Sequence, residues 1–552
     1  MPLRSLTRVR AVPLLWLLWL AALVLALWDL GNVPLRDWDE AIVARVSLEL
    51  SRLRWPQLLL PTYDGEPYLN KPPGLHLGIA ALIRLWQALR PAQAGALPPE
   101  WLVRLLPAVA SSLLVPLLGL VQLRLRPSRA GAAVATAAIT LTLLPLARHG
   151  RLAMLDGSQL SAMALVWLGL LSTTNRPRSA FGGGLLAGLG VSALLLLKAP
   201  VALPVLAGAM ALRLADRELR RRPWFLTLIG TVVGSGAGLA WHGWHGLMRG
   251  DMALVMWGAQ GMARLTSTLE SHGGGATVPL IQFVVGGWPW LPLWPFGLVL
   301  AWRERATPAG RWSLGLSLLS VVMVFPLRTQ LPWYSLLLWP PFALVCGPVL
   351  AALASGQAAP RVGLTCGRIW AALGALLLLA AAAVAVLPPL RTLLPEPLLP
   401  VPAAVGLLAA GTPLLGRWPS GRVRSGLLVL AVGWFLSLLL LFSTPLWNWE
   451  LNEQPAVRPA QQLLPRPGEG GEPLPLRRTR RDPDNRRPSF LWYLDPSPPA
   501  DERTTGPYGV LSRADRLRDE DERRRCRPVD GGPGGWRLWR CGNGGRANGG
   551  GT

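Results

Sequence analysis

The sequence predicts an all-α polytopic membrane protein. Three observations carry this. The chain of 552 residues is 51% hydrophobic and only 15% charged, less charge than a soluble domain of this size carries. Uncharged apolar stretches of roughly 20 residues recur along it, the length a helix needs to cross a bilayer. Its arginines fall in short connections between those stretches and in the C-terminal tail, as membrane topology requires. The net charge of +25 is thus a topological signal, and no nucleic acid is expected as a partner.

The first apolar stretch, AVPLLWLLWLAALVLALWDL, follows Arg4, Arg8 and Arg10. It is long, and no small-residue cleavage site follows, so it reads as an uncleaved first span. About 13 candidate spans follow from length and hydropathy. They are 11–30, 101–122, 130–147, 155–174, 182–197, 199–214, 224–247, 278–301, 312–327, 332–354, 368–388, 400–416 and 424–445. With the N-terminus in the cytoplasm, the cytoplasmic connections hold Arg124, Arg126 and Arg129, then Arg176 and Arg178, then Arg213 to Arg222, then Arg303 to Arg311, then Arg361 and Arg368, then Arg417 to Arg424. The opposite connections hold fewer basic residues, and one threading satisfies the bias throughout. It places 31–100, Asp156, Lys198, the 248–277 loop with His272, RTQLPWY at 328–334 and the tail from 446 outside. The expected location is the plasma (inner) membrane, multi-pass, with the functional face extracytoplasmic, that is periplasmic.

The expected organisation is a transmembrane domain at 1–445, with a large first outer loop at 31–100. A small extracytoplasmic α/β domain follows at 446–540 and a disordered tail at 541–552. In the tail, FLWYL, GVLSR and GGWRLWRC read as strands. Cys526 and Cys541 pair if the tail faces an oxidising compartment.

The first loop turns helical at Asp39. Val43, Val46, Leu50 and Leu53 share one face, and Arg45, Glu49 and Arg52 share the other. That pattern reads as an amphipathic helix on the membrane surface. Trp55 and Pro56 end it, TYDGEPY is a turn, and a second amphipathic helix starts near Pro72. Asp39 and Glu40 suit a helix N-terminus as caps as well as a catalytic role. Lys71 suits either a snorkelling position or a phosphate contact. It is one of only two lysines against 53 arginines, the other being Lys198. A compact ammonium serves differently from a planar guanidinium.

These residues resemble a family. WDEAIVARVSLEL and YDGEPYLNKPPG resemble the first loop of the lipid A aminoarabinose transferases and the related protein O-mannosyltransferases, membrane glycosyltransferases of the GT-C fold. RLAMLDGSQL at 151–160, LLKAP at 196–200, ARLTSTLESHGGG at 263–275 and RTQLPWYSLLLWPP at 328–341 resemble their later motifs in order. The resemblance implies a polyprenyl-phosphate sugar as donor, a lipid or protein acceptor, and contact with membrane lipids. It implies catalytic roles for Asp39, as base or orienting group, and for Asp156. It implies substrate contacts from Glu40, Tyr68, Lys71, Arg151, Lys198, His272, Arg328 and Tyr334. Asp156 reads equally as a buried partner of an arginine, and His242 and His245 read as interfacial.

The chain also departs from the family pattern. Ile42 and Val43 replace Arg-Tyr, Ala199 replaces a glycine, and Gln330 replaces a lysine. Asn70 stands where a glutamate would, with the loop histidine, resemble a metal site, which leaves His272 as the one obvious ligand. No firm cofactor follows, although a divalent metal remains compatible. The readings in play are a lipid-donor glycosyltransferase, a transporter or flippase, and a non-catalytic member of the fold.

Overall fold

The computed structural model describes residues 8–91, 96–267, 275–387, 396–416, 418–449, 487–494, 508–513, 526–531 and 536–542. In chain order the first elements are α1 (Arg8–Leu27), α2 (Glu40–Arg52), β1 (Thr62–Tyr63), β2 (Glu66–Pro67), α3 (Gly74–Leu89), α4 (Glu100–Ser112), α5 (Leu114–Leu125), α6 (Ala130–Thr142), α7 (Leu144–Gly150), α8 (Leu155–Ser172) and α9 (Pro177–Ala215). Helices continue to Phe442, and the tail adds a short helix (Pro488–Tyr493) and three strands, β3 (Tyr508–Arg513), β4 (Cys526–Gly531) and β5 (Trp536–Cys541).

The chain forms two compact units. The first comprises 1–32, 69–75 and 104–447, and the second 33–68, 76–103 and 448–552. The first unit is helical. Its core includes Trp167, Trp290, Trp312, Trp339 and Trp370, each fully buried, while Val232, Val233, Leu318, Leu376 and Leu428 lie outward and exposed. An apolar exterior around an apolar interior is what a bilayer solvates.

Among the described residues, five helices are long and apolar enough to cross a membrane, and eight when each bent pair is taken as one span. The expected number of spans is not reached by this measure, because proline and glycine divide the apolar stretches. Ala130–Thr142 and Leu144–Gly150 meet at 61°, and Thr277–Gly286 and Leu291–Arg303 at 105°.

The two expected spans 182–197 and 199–214 belong to one continuous element, α9, interrupted at Lys198 by non-helical torsions (φ −149°, ψ 77°). The interruption is a reversal. Gly184, before it, packs on the Thr227 carbonyl, and Arg213, after it, donates to Thr227 Oγ1 at 3.2 Å. A straight helix would hold those positions roughly 43 Å apart.

Connections with abundant arginine meet at one end of this unit. Arg126 pairs with Glu304 at 2.6 Å and Arg129 with the same carboxylate at 3.2 Å. Arg311 lies 3.9 Å from Asp216, and Arg222 donates to the Thr173 carbonyl. A separate set gathers other connections: Arg151 donates to the carbonyls of Trp28 and Asp29, and Arg148 to that of Trp447.

In the second unit α2 matches its expected position, but only Arg52 of its charged face is exposed. Arg45 is buried; it donates to Glu49 at 2.8 Å and to the Leu491 carbonyl at 2.9 Å. Glu49 in turn accepts from Thr62 Oγ1 at 2.6 Å and from the Asp64 amide at 2.7 Å. The carboxylate thus closes the β1–β2 hairpin. The turn has Asp64 at φ 55° and Gly65 at φ 81°, the pair of left-handed residues that Asp-Gly supplies most cheaply.

FLWYL is a helix, not the expected strand. Pro488 opens it, and every side chain from Pro488 to Tyr493 is buried. Asp37, fully buried, accepts from the Ser489 amide at 2.8 Å and from Arg487 at 3.3 Å. Tyr493 donates to Glu100 at 3.0 Å. These anchors override the β propensity of the aromatic run. The other two expected strands form as β3 and β5, with β4 on the far edge of β5 in the order β3-β5-β4. Cys526 and Cys541 form a disulfide between β4 and β5. The proposed disorder of 541–552 falls, beyond Gly542, outside the described residues.

Glu49→Ala is expected to lower the local stability of the hairpin by about 2 kcal/mol. Limited thermolysin digestion of the purified chain should then cut faster within 54–68. An unchanged cleavage rate would contradict the hub role of Glu49.

Candidate active site

A proline fixes the reversal of α9. The carbonyl of Leu196 would normally accept from the amide four residues on, but that residue is Pro200, which has no N–H. The helix opens there, and the chain turns at Lys198. On the preceding turn the Leu195 carbonyl lies 3.1 Å from His242 Nε2, which donates to it as the Nε2–H tautomer. The opened turn is also the seat of the other lysine motif. A Cβ on Gly74 would lie 2.7 Å from both Leu196 O and Leu196 Cβ, so only glycine fits. Pro72 and Pro73, both buried, hold the preceding residues extended. The corner NKPPG therefore rests on the apex of LLLLKAP.

One cavity of about 660 Å³ adjoins this junction. Its polar residues include Lys71, Asp156, Gln159, Lys198 and Tyr334. Its remaining wall is apolar, with Leu203, Leu319, Val322 and Leu327 among its members. Lys198 Nζ donates to Asp156 Oδ1 at 2.8 Å and lies 4.9 Å from the centre of the Tyr334 ring. Asp156 stands in the first turn of α8, where the helix dipole favours a carboxylate. Its partner is thus the second lysine rather than an arginine. The ring of His242 is 5.5 Å from Trp257, which lines the cavity. His242 therefore braces the apex from behind, a role its place in WHGWHG did not disclose.

The candidate residues thus divide. Lys71, Asp156, Lys198 and Tyr334 share the cavity. Arg151 is fully buried in the same unit, with its guanidinium 4.2 Å from the Phe442 ring and 4.6 Å from that of Trp447. It joins chain segments and does not line the cavity. Arg328 is exposed and is not part of the lining. His272 lies outside the described residues. Gln330 donates to the carbonyls of Val324 and Leu327, each at 2.9 Å, and so ties down the end of the helix Pro308–Val324.

Asp39, Glu40 and Tyr68 belong to the second unit. Asp39 occupies the N-cap of α2, but its side chain makes no capping bond. Glu40 is fully buried and accepts from the Arg36 amide at 3.1 Å. Tyr68 packs with Val46, Leu50 and Ala80, its ring 5.6 Å from that of His76. Burial first, then the neighbouring Tyr63 and Asp39, push its phenol well above the usual range. Its hydroxyl therefore stays protonated. Asp37, which sequence reading passed over, is an anchor for the tail helix. Among the described residues no group of three or more His, Cys, Asp or Glu is placed to hold a metal ion.

Residues 16–216 match the family model of dolichyl-phosphate-mannose-protein mannosyltransferases. The structure is similar to that of ArnT from Cupriavidus metallidurans bound to undecaprenyl phosphate, with 19% identity, a TM-score of 0.66, and coverage of 95% of this chain and 97% of that one. The apo form of ArnT gives 18% identity, a TM-score of 0.68 and the same coverage. The chain has the GT-C fold. No curated protein matches its sequence. The expectation of the GT-C fold, drawn from the motif series, is met by the ArnT-like architecture.

A double-mutant cycle on Asp156→Asn and Lys198→Met tests the ion pair at the centre of the GT-C cavity. The two changes should be non-additive in thermal stability by about 1 kcal/mol or more, with the double variant less destabilised than the sum. Additive losses would show that the contact carries no coupling.

Proposed function

We propose that this chain transfers a sugar from a polyprenyl-phosphate donor to a lipid A-like or other cell-envelope acceptor at the outer face of the plasma membrane. The observation that carries the reading is the composition of the cavity. Two lysines are among its polar lining residues, and the rest of the lining is mostly apolar. A lipid phosphate needs both. In the reaction, the bond between the sugar's anomeric carbon and the phosphate oxygen breaks, and the electron pair stays on the departing phosphate. Lys71 and Lys198 stabilise that developing charge. The acceptor oxygen forms the new bond to the anomeric carbon. Where the acceptor is a hydroxyl, its proton passes to a base, and Asp39 is the candidate. Where it is a phosphate, no base is needed and Asp39 supports the oxocarbenium-like transition state.

Among the other candidates, Asp156 holds Lys198, Tyr334 flanks it, and Tyr68 and Glu40 shape the first loop. Arg328 and His272 are kept as outer-loop contacts, and Arg151 as a brace. No step passes through a metal, because Asn70 stands where the resembled pattern has a glutamate. It assigns about 13 passes, with the arginine-rich connections inside. Two features support this sidedness: those connections meet at one end of the first unit, and the tail disulfide belongs to an oxidising compartment. The family model favours a second acceptor class, a protein hydroxyl.

Asp39→Asn and Lys71→Ala, each confirmed in the membrane, test the reading when lipid and protein fractions are compared with the parent by mass spectrometry. One sugar should disappear in both variants, by at least about 100-fold, from the fraction that holds the acceptor. Unchanged profiles would remove the enzyme reading and favour a transporter or a non-catalytic role.

A further inference from the structure

Gln159 stands inside RLAMLDGSQL without a role assigned from the sequence, yet it lines the cavity. It stands three residues after Asp156 on α8, so the two side chains share a helix face. Gln159 is 2% exposed, and its carbonyl oxygen has no hydrogen-bond partner among the described residues. Buried polar atoms are nearly always paired, and a ligand group entering the cavity that Gln159 lines can supply this partner.

The carboxamide also has a chemistry distinct from its neighbours. Lys71 and Lys198 supply positive charge, and Asp156 is engaged by Lys198. Gln159 is neutral and offers both donors and an acceptor, whichever way the amide is turned. A phosphate diester accepts hydrogen bonds but donates none. A sugar hydroxyl or amine does both.

We propose that Gln159 reads the sugar of the bound donor rather than its phosphate, as a specificity-determining residue. This rests on the polyprenyl-phosphate reading above. The lysines then hold the charged part of the donor, and Gln159 tests the uncharged polar part beside it. Loss of the amide leaves a sugar hydroxyl unpaired in a largely desolvated site, which costs roughly tenfold in affinity.

The test is binding to the full chain in nanodiscs. The probes are bare undecaprenyl phosphate and undecaprenyl phosphate carrying mannose or 4-amino-4-deoxyarabinose. Gln159→Met keeps the length of the side chain and removes its hydrogen bonds. Affinity for the bare lipid should stay within about twofold of the parent, while the sugar-bearing lipid that the parent prefers should lose roughly tenfold. If the Met variant does not fold, Gln159→Asn keeps the amide but withdraws it, and the same selective loss is expected. Equal weakening towards all probes, or no change towards any, overturns the proposal while leaving the donor class intact. A parent chain that binds none of the lipids removes the donor reading itself, and this inference with it.

Discussion

The contact between Gly74 and the opened turn at Leu196 is the constraint on which the site depends. Pro200 removes the amide that Leu196 would need, and the backbone at Lys198 leaves the helix. The exposed turn accepts another backbone only where that backbone carries no side chain, and Gly74 meets it with no room for a Cβ. Overpacking of this kind costs about 1–3 kcal/mol. Two motifs distant in sequence are thereby set in register, and each delivers its lysine to the same cavity. The rarity of lysine in this chain acquires a physical meaning: both lysines, the only ones the sequence has, serve one cavity.

The second unit is held by charge in its interior. Asp37, Glu40 and Arg45 are buried, and Asp37 and Arg45 have partners on the tail helix. Buried charges are costly unless their partners are well placed. The tail helix and the first loop are therefore tied by polar anchors as well as by the burial of Phe490, Leu491 and Trp492. The same logic governs Glu49, whose bonds to Arg45, Thr62 and Asp64 join α2 to the hairpin.

Much of this was legible in the sequence where a strong local rule applied. The apolar stretches gave the helical class, Asp64-Gly65 marked the turn, and Lys71, Asp156, Lys198 and Tyr334 were singled out by their motifs before they met in one cavity. The sharp turn at Lys198 was visible as the junction of two spans, though not its mechanism. What was not legible depended on distant partners. FLWYL carries a strand's composition, and only the bonds from Asp37 and Arg45 explain why it is helical. Arg45 and Glu49 look like a solvated face until their partners are known. Arg151 sits in a motif with Asp156 yet packs on Phe442 and Trp447. His242 and Gln159 sit in quoted stretches that do not disclose their roles, because those roles arise from a backbone carbonyl and a cavity that only the folded chain creates.

Lysine scarcity also makes the central claim directly measurable. A short bifunctional amine reagent can join only Lys71, Lys198 and the chain's amino terminus. The purified chain, treated with such a reagent in nanodiscs and digested, should yield by mass spectrometry a peptide linking Lys71 to Lys198. That link should weaken when undecaprenyl phosphate is added first. Single modification of both lysines without a link would place them in separate environments and contradict the account.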